Sequence, residues 1–256
     1  DKYWDPFTML SNAKFILGNN KQQEIKDLEE KLNKTTGKVE DKTTFEREIC
    51  NLLSGNEKAK KIYDTVKECI TDREANFEKL SNIGADIKKV EELSDDVSYQ
   101  IAGFEGNGNK KAIVFIVVPN DCILEKNHME CIKNQLIENG YSKEVEEADY
   151  DCKNVNFIIR SQDRSAKFEI GGEAISGCYG ATINAQGATI SKRYAIGWCE
   201  RATINLQGAN INAEYAISSC EEATINAQGA NINVGYAINS CKKATINLQG
   251  ANIDAQ

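Results

Sequence analysis

The chain has 256 residues, room for two or three domains, with 31 Lys and Arg against 39 Asp and Glu, a net charge of −8 and a pI near 5.0. That balance argues against general nucleic-acid binding, which relies on clustered Lys and Arg. No run of about 20 apolar residues is present to cross a membrane as a helix, and a start at Asp1 points to processing or trimming that leaves room for a signal or anchor ahead of it.

Residues 1–19 are aromatic and apolar without a clear period. Tyr3, Trp4 and Phe7, with Leu10, Phe15 and Ile16, are too many to leave in water, so this arm is expected to dock on its own chain or on a neighbour's. Residues 20–96 read as a helical bundle or stalk. Ile25, Leu28 and Leu32 share one helical face, and Thr36-Gly37 stops that helix. Thr43 and Glu46 form a capping box before Phe45, Ile49, Leu52 and Leu53. After Gly55-Asn56 a longer helix is expected, with Ile62, Val66, Ile70, Phe77 and Leu80 inward and Ile83, Ile87, Val90 and Val97 continuing at heptad-like spacing.

Residues 97–162 read as a small antiparallel ββαββ module. Val97–Phe104 and Ala112–Val118 flank Gly106-Asn107-Gly108-Asn109, a strong hairpin signal. Leu124–Glu138 is helical and closes at Asn139-Gly140, while Lys143–Ala148 and Val155–Arg160 supply two more strands. Asp163–Ile170 is expected to cap the C-terminal region at its first coil.

Residues 163–256 read as a β-solenoid domain, within which Gly171–Gln256 repeats every 21 residues. Ala181-Thr182-Ile183-Asn184 returns at Ala202, Ala223 and Ala244, with cysteines at Cys178, Cys199, Cys220 and Cys241, glycines at Gly187, Gly208, Gly229 and Gly250, and tyrosines at Tyr194, Tyr215 and Tyr236. Within each repeat Ala recurs every seven residues, and apolar residues alternate with polar ones as in half-buried strands. Through these motifs the last 86 residues resemble the general class of β-solenoid repeat proteins. The resemblance implies a three-faced parallel β-helix of four coils with Ala and Ile inside, and it carries no functional residues. The whole chain is therefore expected to be α+β.

The columns have a structural reading. Asn184, Asn205, Asn226 and Asn247 form a ladder able to hydrogen-bond between coils, and Cys178, Cys199, Cys220 and Cys241 stack as small hydrophobes in poor disulfide geometry. Arg201 and Lys243 flank Glu222 at one corner. If Ala195, Ala216 and Ala237 point inward, then Tyr194, Ile196, Trp198, Tyr215, Ile217, Tyr236 and Ile238 form an exposed interaction face. A bulge would instead turn the isoleucines in.

Signals for chemistry are weak. Gly103–Lys111 lacks phosphate-loop spacing. His128 lies three residues before Cys131, a conceivable nucleophile pair or half a metal site, but a surface histidine is the simpler reading. Outward positions carry Thr, Asn and Ser instead of paired acids, and these rows do not repeat the hydroxyl spacing of an ice-binding face. No Cys-x-x-Cys occurs; Cys50, Cys69, Cys122, Cys131 and Cys152 leave room for one or two disulfides if the protein is exported. The repeat region holds six acids and five bases, too balanced to mimic DNA. The one glycosylation sequon, Asn33-Lys34-Thr35, is near chance frequency.

These features lead to a non-enzymatic structural protein with no cofactor and no metal. It is expected to assemble with itself, through its solenoid and N-terminal regions, as a filament or surface-layer subunit. The alternative is a binding module that recognises another protein or a glycan through the Tyr/Ile/Trp face. No nucleic-acid partner is expected, and an extracellular or cell-surface location is slightly favoured.

Overall fold

The N-terminal arm is a helix. In a computed structural model describing residues 1–34, 42–84, 86–87, 91–93, 96–106, 108–146 and 149–255, α1 (Pro6–Leu17) starts where the Asp5 carboxylate accepts from Thr8 N at 2.8 Å. Pro6 takes the first turn, where its missing N–H costs nothing. Met9, Leu10, Ala13, Phe15, Ile16 and Leu17 are buried together with Thr8, Ser11 and Asn12. A helix covered all round shows no amphipathic stripe, which is why the sequence lacks a period there.

Around α1 pack α2 (Gln22–Lys34), α3 (Lys42–Leu53) and α4 (Glu57–Thr71), burying Ile25, Leu28, Leu32, Phe45, Ile49, Leu53, Ile62, Tyr63, Val66 and Ile70. The Thr36-Gly37 stop, Thr35 of the sequon and Val90 of the heptad pattern lie outside the described residues. The expected long helix ends at Thr71. Beyond it the chain pairs with residues 162–164, through Ala75 N to Gln162 O at 2.8 Å and Arg164 N to Arg73 O at 2.8 Å. A 3₁₀ turn (Phe77–Ile83) and the short strands β1 (Asp86–Ile87) and β2 (Glu91–Glu92) come next.

β3 (Ser98–Gly106) and β4 (Asn109–Val118) form the expected antiparallel hairpin. Then come β5 (Ile123–Leu124), α5 (Lys126–Glu138), β6 (Lys143–Glu146), β7 (Asp149–Asp151) and β8 (Val155–Ser161). The module is not wholly antiparallel, because β8 runs parallel to β4, Ala112 opposite Val155. The chain returns through α5, and a helical crossover brings the next strand back in the same direction. Apolar residues fill both faces of β4, as a doubly covered strand requires. Ile113, Phe115 and Val117 face the helices; Ala112, Val114, Ile116 and Val118 face a second core.

That second core continues into the repeats: β9 (Glu169–Ile170), β10 (Ile175–Ser176), β11 (Cys178–Tyr179), β12 (Thr182–Asn184), β13 (Thr189–Gly197), β14 (Thr203–Asn205), β15 (Asn210–Ser218), β16 (Thr224–Asn226), β17 (Asn231–Asn239), β18 (Thr245–Asn247) and β19 (Asn252–Ala255). One sheet runs β1-β3-β4-β8-β12-β14-β16-β18, with β2 also on β3. A second runs β5-β9-β13-β15-β17-β19, with β10 on β13, and a third runs β6-β7-β11. Repeat strands pair in parallel at steps of 21 residues, Thr182 to Thr203 to Thr224 to Thr245. The C-terminal region is thus a series of parallel strands compatible with a β-solenoid, and the fold is α+β. The boundary expected between 162 and 163 falls within one continuous sheet, since β8 pairs directly with β12.

Each corner after the three-residue strands uses a glycine with positive φ, between 65° and 73° at Gly187, Gly208, Gly229 and Gly250. At Gly187 a side chain would also collide with Tyr3, since an added Cβ would lie 2.6 Å from the Tyr3 hydroxyl.

Candidate functional site

The arm docks on its own chain. Trp4 is 1% exposed, packs edge-on to Tyr63 with ring centres 5.5 Å apart, and donates from Nε1 to Glu46. Burial is the largest single influence on Glu46 and opposes its charge, but the hydrogen bond and charge of Lys67, the Trp4 hydrogen bond and the Lys42 charge together outweigh it and keep the carboxyl below its usual range. Tyr3 lies under the Arg164 guanidinium, 4.8 Å from its ring centre, and Phe7 is half-buried at the edge of a cleft of about 160 Å³ between α1, α2 and the repeats.

The asparagine ladder is where α1 seats. Asn205 donates to Asn184 Oδ1 at 3.0 Å and Asn247 to Asn226 Oδ1 at 3.2 Å, but Asn226 turns its amide to Asp5 Oδ2 at 2.8 Å. Asn205 also donates to Ser11 Oγ at 2.9 Å, and Asn12 exchanges hydrogen bonds with Asn184 at 3.1 and 3.2 Å. Asn156 of β8 extends the ladder upward, accepting from Asn184 at 2.8 Å. A second, exposed ladder joins Asn210, Asn231 and Asn252. The first ladder is buried structure rather than an open face.

All nine cysteines are free, so no disulfide forms among Cys50, Cys69, Cys122, Cys131 and Cys152. Cys178, Cys199 and Cys220 are sealed in the core and Cys241 is half-buried; the last three each point Sγ at the carbonyl two residues back, 3.3 Å away. Cys152 is a further rung that the 21-residue period does not reveal. Its carbonyl accepts from Val155 N as that of Cys178 does from Ala181 N, and β8 comes after it as β12 comes after Cys178. The available signal was Cys152-Lys-Asn-Val-Asn-Phe157 set beside Cys178-Tyr-Gly-Ala-Thr-Ile183. Above the column, buried Lys133 donates to Ser176 O at 2.8 Å and lies 4.7 Å from the Tyr150 ring centre. Hydrogen bonds from Cys152 and Cys199, aided by that ammonium and against the effect of burial, pull the Cys178 thiol well below its ordinary range. At 0% exposure the Cys178 thiol is out of reach of a substrate in solution.

On the Tyr-Ala-Ile side the isoleucines turn in. Residues 192, 194, 196 and 197 pair with 213, 215, 217 and 218, while 193 and 195 make no such pair. Strict alternation breaks, and Ala195 and Ile196, like Ala216 and Ile217, are all 0% exposed. Ile196 and Ile217 therefore do not belong to an exposed face. Ile238, in the last repeat, is 43% exposed.

Tyr194, Tyr215 and Tyr236 stack face to face at 4.9 and 5.0 Å. Burial and the nearby Glu214 raise the Tyr215 phenol pKa, so its hydroxyl stays protonated. Trp198 packs at a tilt of 60° on Tyr194 and is 45% exposed. Its backbone is left-handed, φ 52°, in a column where the other coils place Gly177, Ser219 and Ser240. A bulky side chain there costs about 1–2 kcal/mol, strain of the kind that collects at functional positions.

Beside Trp198 runs a groove of about 380 Å³, bounded by Lys143, Val145, Asp149 and Asp151 of the β6–β7 hairpin and by Tyr179, Glu200 and Ser219. Val145 is 57% exposed. Arg201 donates to the hydroxyl of the groove residue Tyr179 at 2.9 Å and pairs with Glu222 at 2.9 Å. That exposed ion pair, expected from the corner column, contributes about 0–1 kcal/mol.

His128 is not on the surface. It is 2% exposed, and its Nδ1 accepts from Glu125 N at 3.0 Å, closing the start of α5. Among the described residues no group of three or more His, Cys, Asp or Glu could hold a metal ion. No described helix is long and apolar enough to cross a membrane. No protein-family description, curated protein or solved structure matches the chain.

Proposed function

We propose that this is a non-enzymatic β-solenoid protein that recognises another protein through its Tyr/Trp side. The single observation that carries the reading is Trp198, left-handed and 45% exposed beside a groove, where neighbouring coils use Gly or Ser. Ser219 and Ser240 hold the same left-handed backbone, so what sets Trp198 apart is a large, half-open aromatic side chain where they carry a small hydroxyl. Asp149, Asp151 and Glu200 give the groove beside Trp198 an acidic border, which suits the basic side chains of a protein better than a neutral glycan.

Trp198→Ser is the test, because Ser219 and Ser240 already hold the same backbone conformation. Lost packing on Tyr194 and relieved strain oppose each other, so the stability measured by urea unfolding is expected to change by no more than about 1 kcal/mol. Wild type and variant would then be applied to one surface array of peptides and glycans. Peptide signals present only for the wild type support the reading; identical patterns for both proteins sink it.

A second reading, assembly with other copies into a filament or surface layer, keeps one of its two supports. The aromatic arm is used up inside the chain. In the last described repeat, however, β18 and β19 pair on one side only, and Ile238 and Ile253 are 43% and 45% exposed against 0% for Ile217 and 2% for Ile232. An apolar edge of this kind is a template for pairing, with another copy or with further strands of the same chain. Light scattering over a concentration series is expected to show mass rising from 28.4 kDa, with Ile253→Lys holding it constant. A wild-type mass that never rises removes this reading.

A further inference from the structure

We infer that the groove beside Trp198 binds an extended protein segment bearing an arginine; this rests on the recognition reading above and names the chemistry of its partner. Three carboxylates, Asp149, Asp151 and Glu200, border the groove against one ammonium, Lys143. Asp151 is partly engaged by Lys153, 3.7 Å away, while Glu200 borders the groove two residues along the chain from Trp198.

The protein uses the same pairing on itself next door. Arg201 bonds the Tyr179 hydroxyl and places its guanidinium carbon 5.9 Å from the ring centre, while Arg193 lies 5.2 Å from that of Tyr194. Trp198 is a better cation partner than tyrosine. Tyr194 covers one part of its ring, and the rest opens on the groove. A guanidinium suits such a site better than an ammonium, because it can lie flat on the indole and still fork to a carboxylate.

The dimensions suit an extended chain. From β6 across β7, β11 and the next two coils to Ser219 the groove spans four strand spacings, about 19 Å at ~4.8 Å each, or some six residues at ~3.3 Å. β6 is the outer strand of its three-stranded sheet, so its free edge lies at the groove's far border.

The experiment is calorimetric titration of the whole chain with a capped six-residue Gly/Arg peptide, at low and at physiological ionic strength. Tryptophan emission is monitored in parallel. Trp4 is 1% exposed and stays silent, so a spectral change reports Trp198. The expected result is saturable binding at both ionic strengths, weakened about tenfold by Trp198→Ser and by Glu200→Gln, and weaker for the Lys counterpart. No binding overturns the inference. So does equal binding by wild type and both variants, which would be attraction to the net charge of −8 alone. If the array loses wild-type signals on Trp198→Ser but those signals are on acidic or neutral peptides, recognition stands and the arginine assignment fails. If the array is unchanged, both fail.

Discussion

Replacing Arg160 by methionine is expected to remove about 3–5 kcal/mol of stability, a large part of the ~5–15 kcal/mol that holds a typical domain together. Arg160 is 0% exposed and donates to Cys69 O at 2.9 Å, Asp72 O at 2.6 Å, Arg73 O at 2.9 Å and Ser161 O at 2.9 Å. Cys69, Asp72 and Arg73 sit in or just beyond the last turn of α4, where carbonyls have no helical partner and the macrodipole is negative. Burial depresses the guanidinium pKa, yet the group stays ionised because its ordinary value is so high. Methionine fills similar space and supplies no donor, so the Cys69 and Asp72 carbonyls lose this partner, while Arg73 O keeps only Arg164 N. Lysine, a single point charge, should recover only part of the loss. Urea midpoints of wild type, Arg160→Met and Arg160→Lys check this; coincident curves for all three would show that water replaces the guanidinium at no cost.

Asn184→Leu carries the second large effect, about 2–4 kcal/mol. The side chain matches in size, but Asn184 sits at the centre of a buried network, bonded to Asn12, Asn156 and Asn205 and to Phe157 O at 3.3 Å. Four amides, those of Asn12, Asn156, Asn205 and Gln186, lose a partner where water does not reach. Because two of those bonds hold α1 on the repeats, amide exchange in α1 should accelerate more than exchange in β4. The matched control is Asn252→Leu in the exposed ladder, expected to cost no more than about 0.5 kcal/mol. Equal effects at both sites would mean that the network adds nothing beyond ladder geometry.

These two sites also mark what the sequence could and could not disclose. The asparagine column is plain, since an identical residue every 21 positions in a half-buried strand needs a stacked partner. What covers that column is not, because Asn12 lies 172 residues away and its helix shows no polar face to betray the contact. The glycine corners are readable because only one residue type holds that backbone cheaply. The inward turn of Ile196 and Ile217 is not: strict alternation would expose them, and only the missing pairs at 193 and 195 overturn it. Trp198 stands out as an aromatic on the right side, but its left-handed backbone leaves no mark in composition. The fusion of the small module with the repeats is hidden for another reason. Its strand β8 uses Val155 and Phe157 where later coils use Ala and Ile, and the step from Cys152 to Cys178 is 26 residues, not 21.

The seat of α1 on the repeats has a consequence for how the chain is made. Asp5 must find Asn226, 221 residues downstream, before the helix start is fully tied. At a synthesis rate of about 5–20 residues per second, roughly 10–40 s separate the two on a ribosome. Through that interval Trp4, Met9 and Leu10 have helices to pack on but no parallel strands to close against. Such distant contacts slow folding and prolong exposure of apolar surface. A segment synthesised well ahead of the repeats is therefore among the last to lock. A refolding time course should show it, with native exchange protection in β4 appearing before protection in α1.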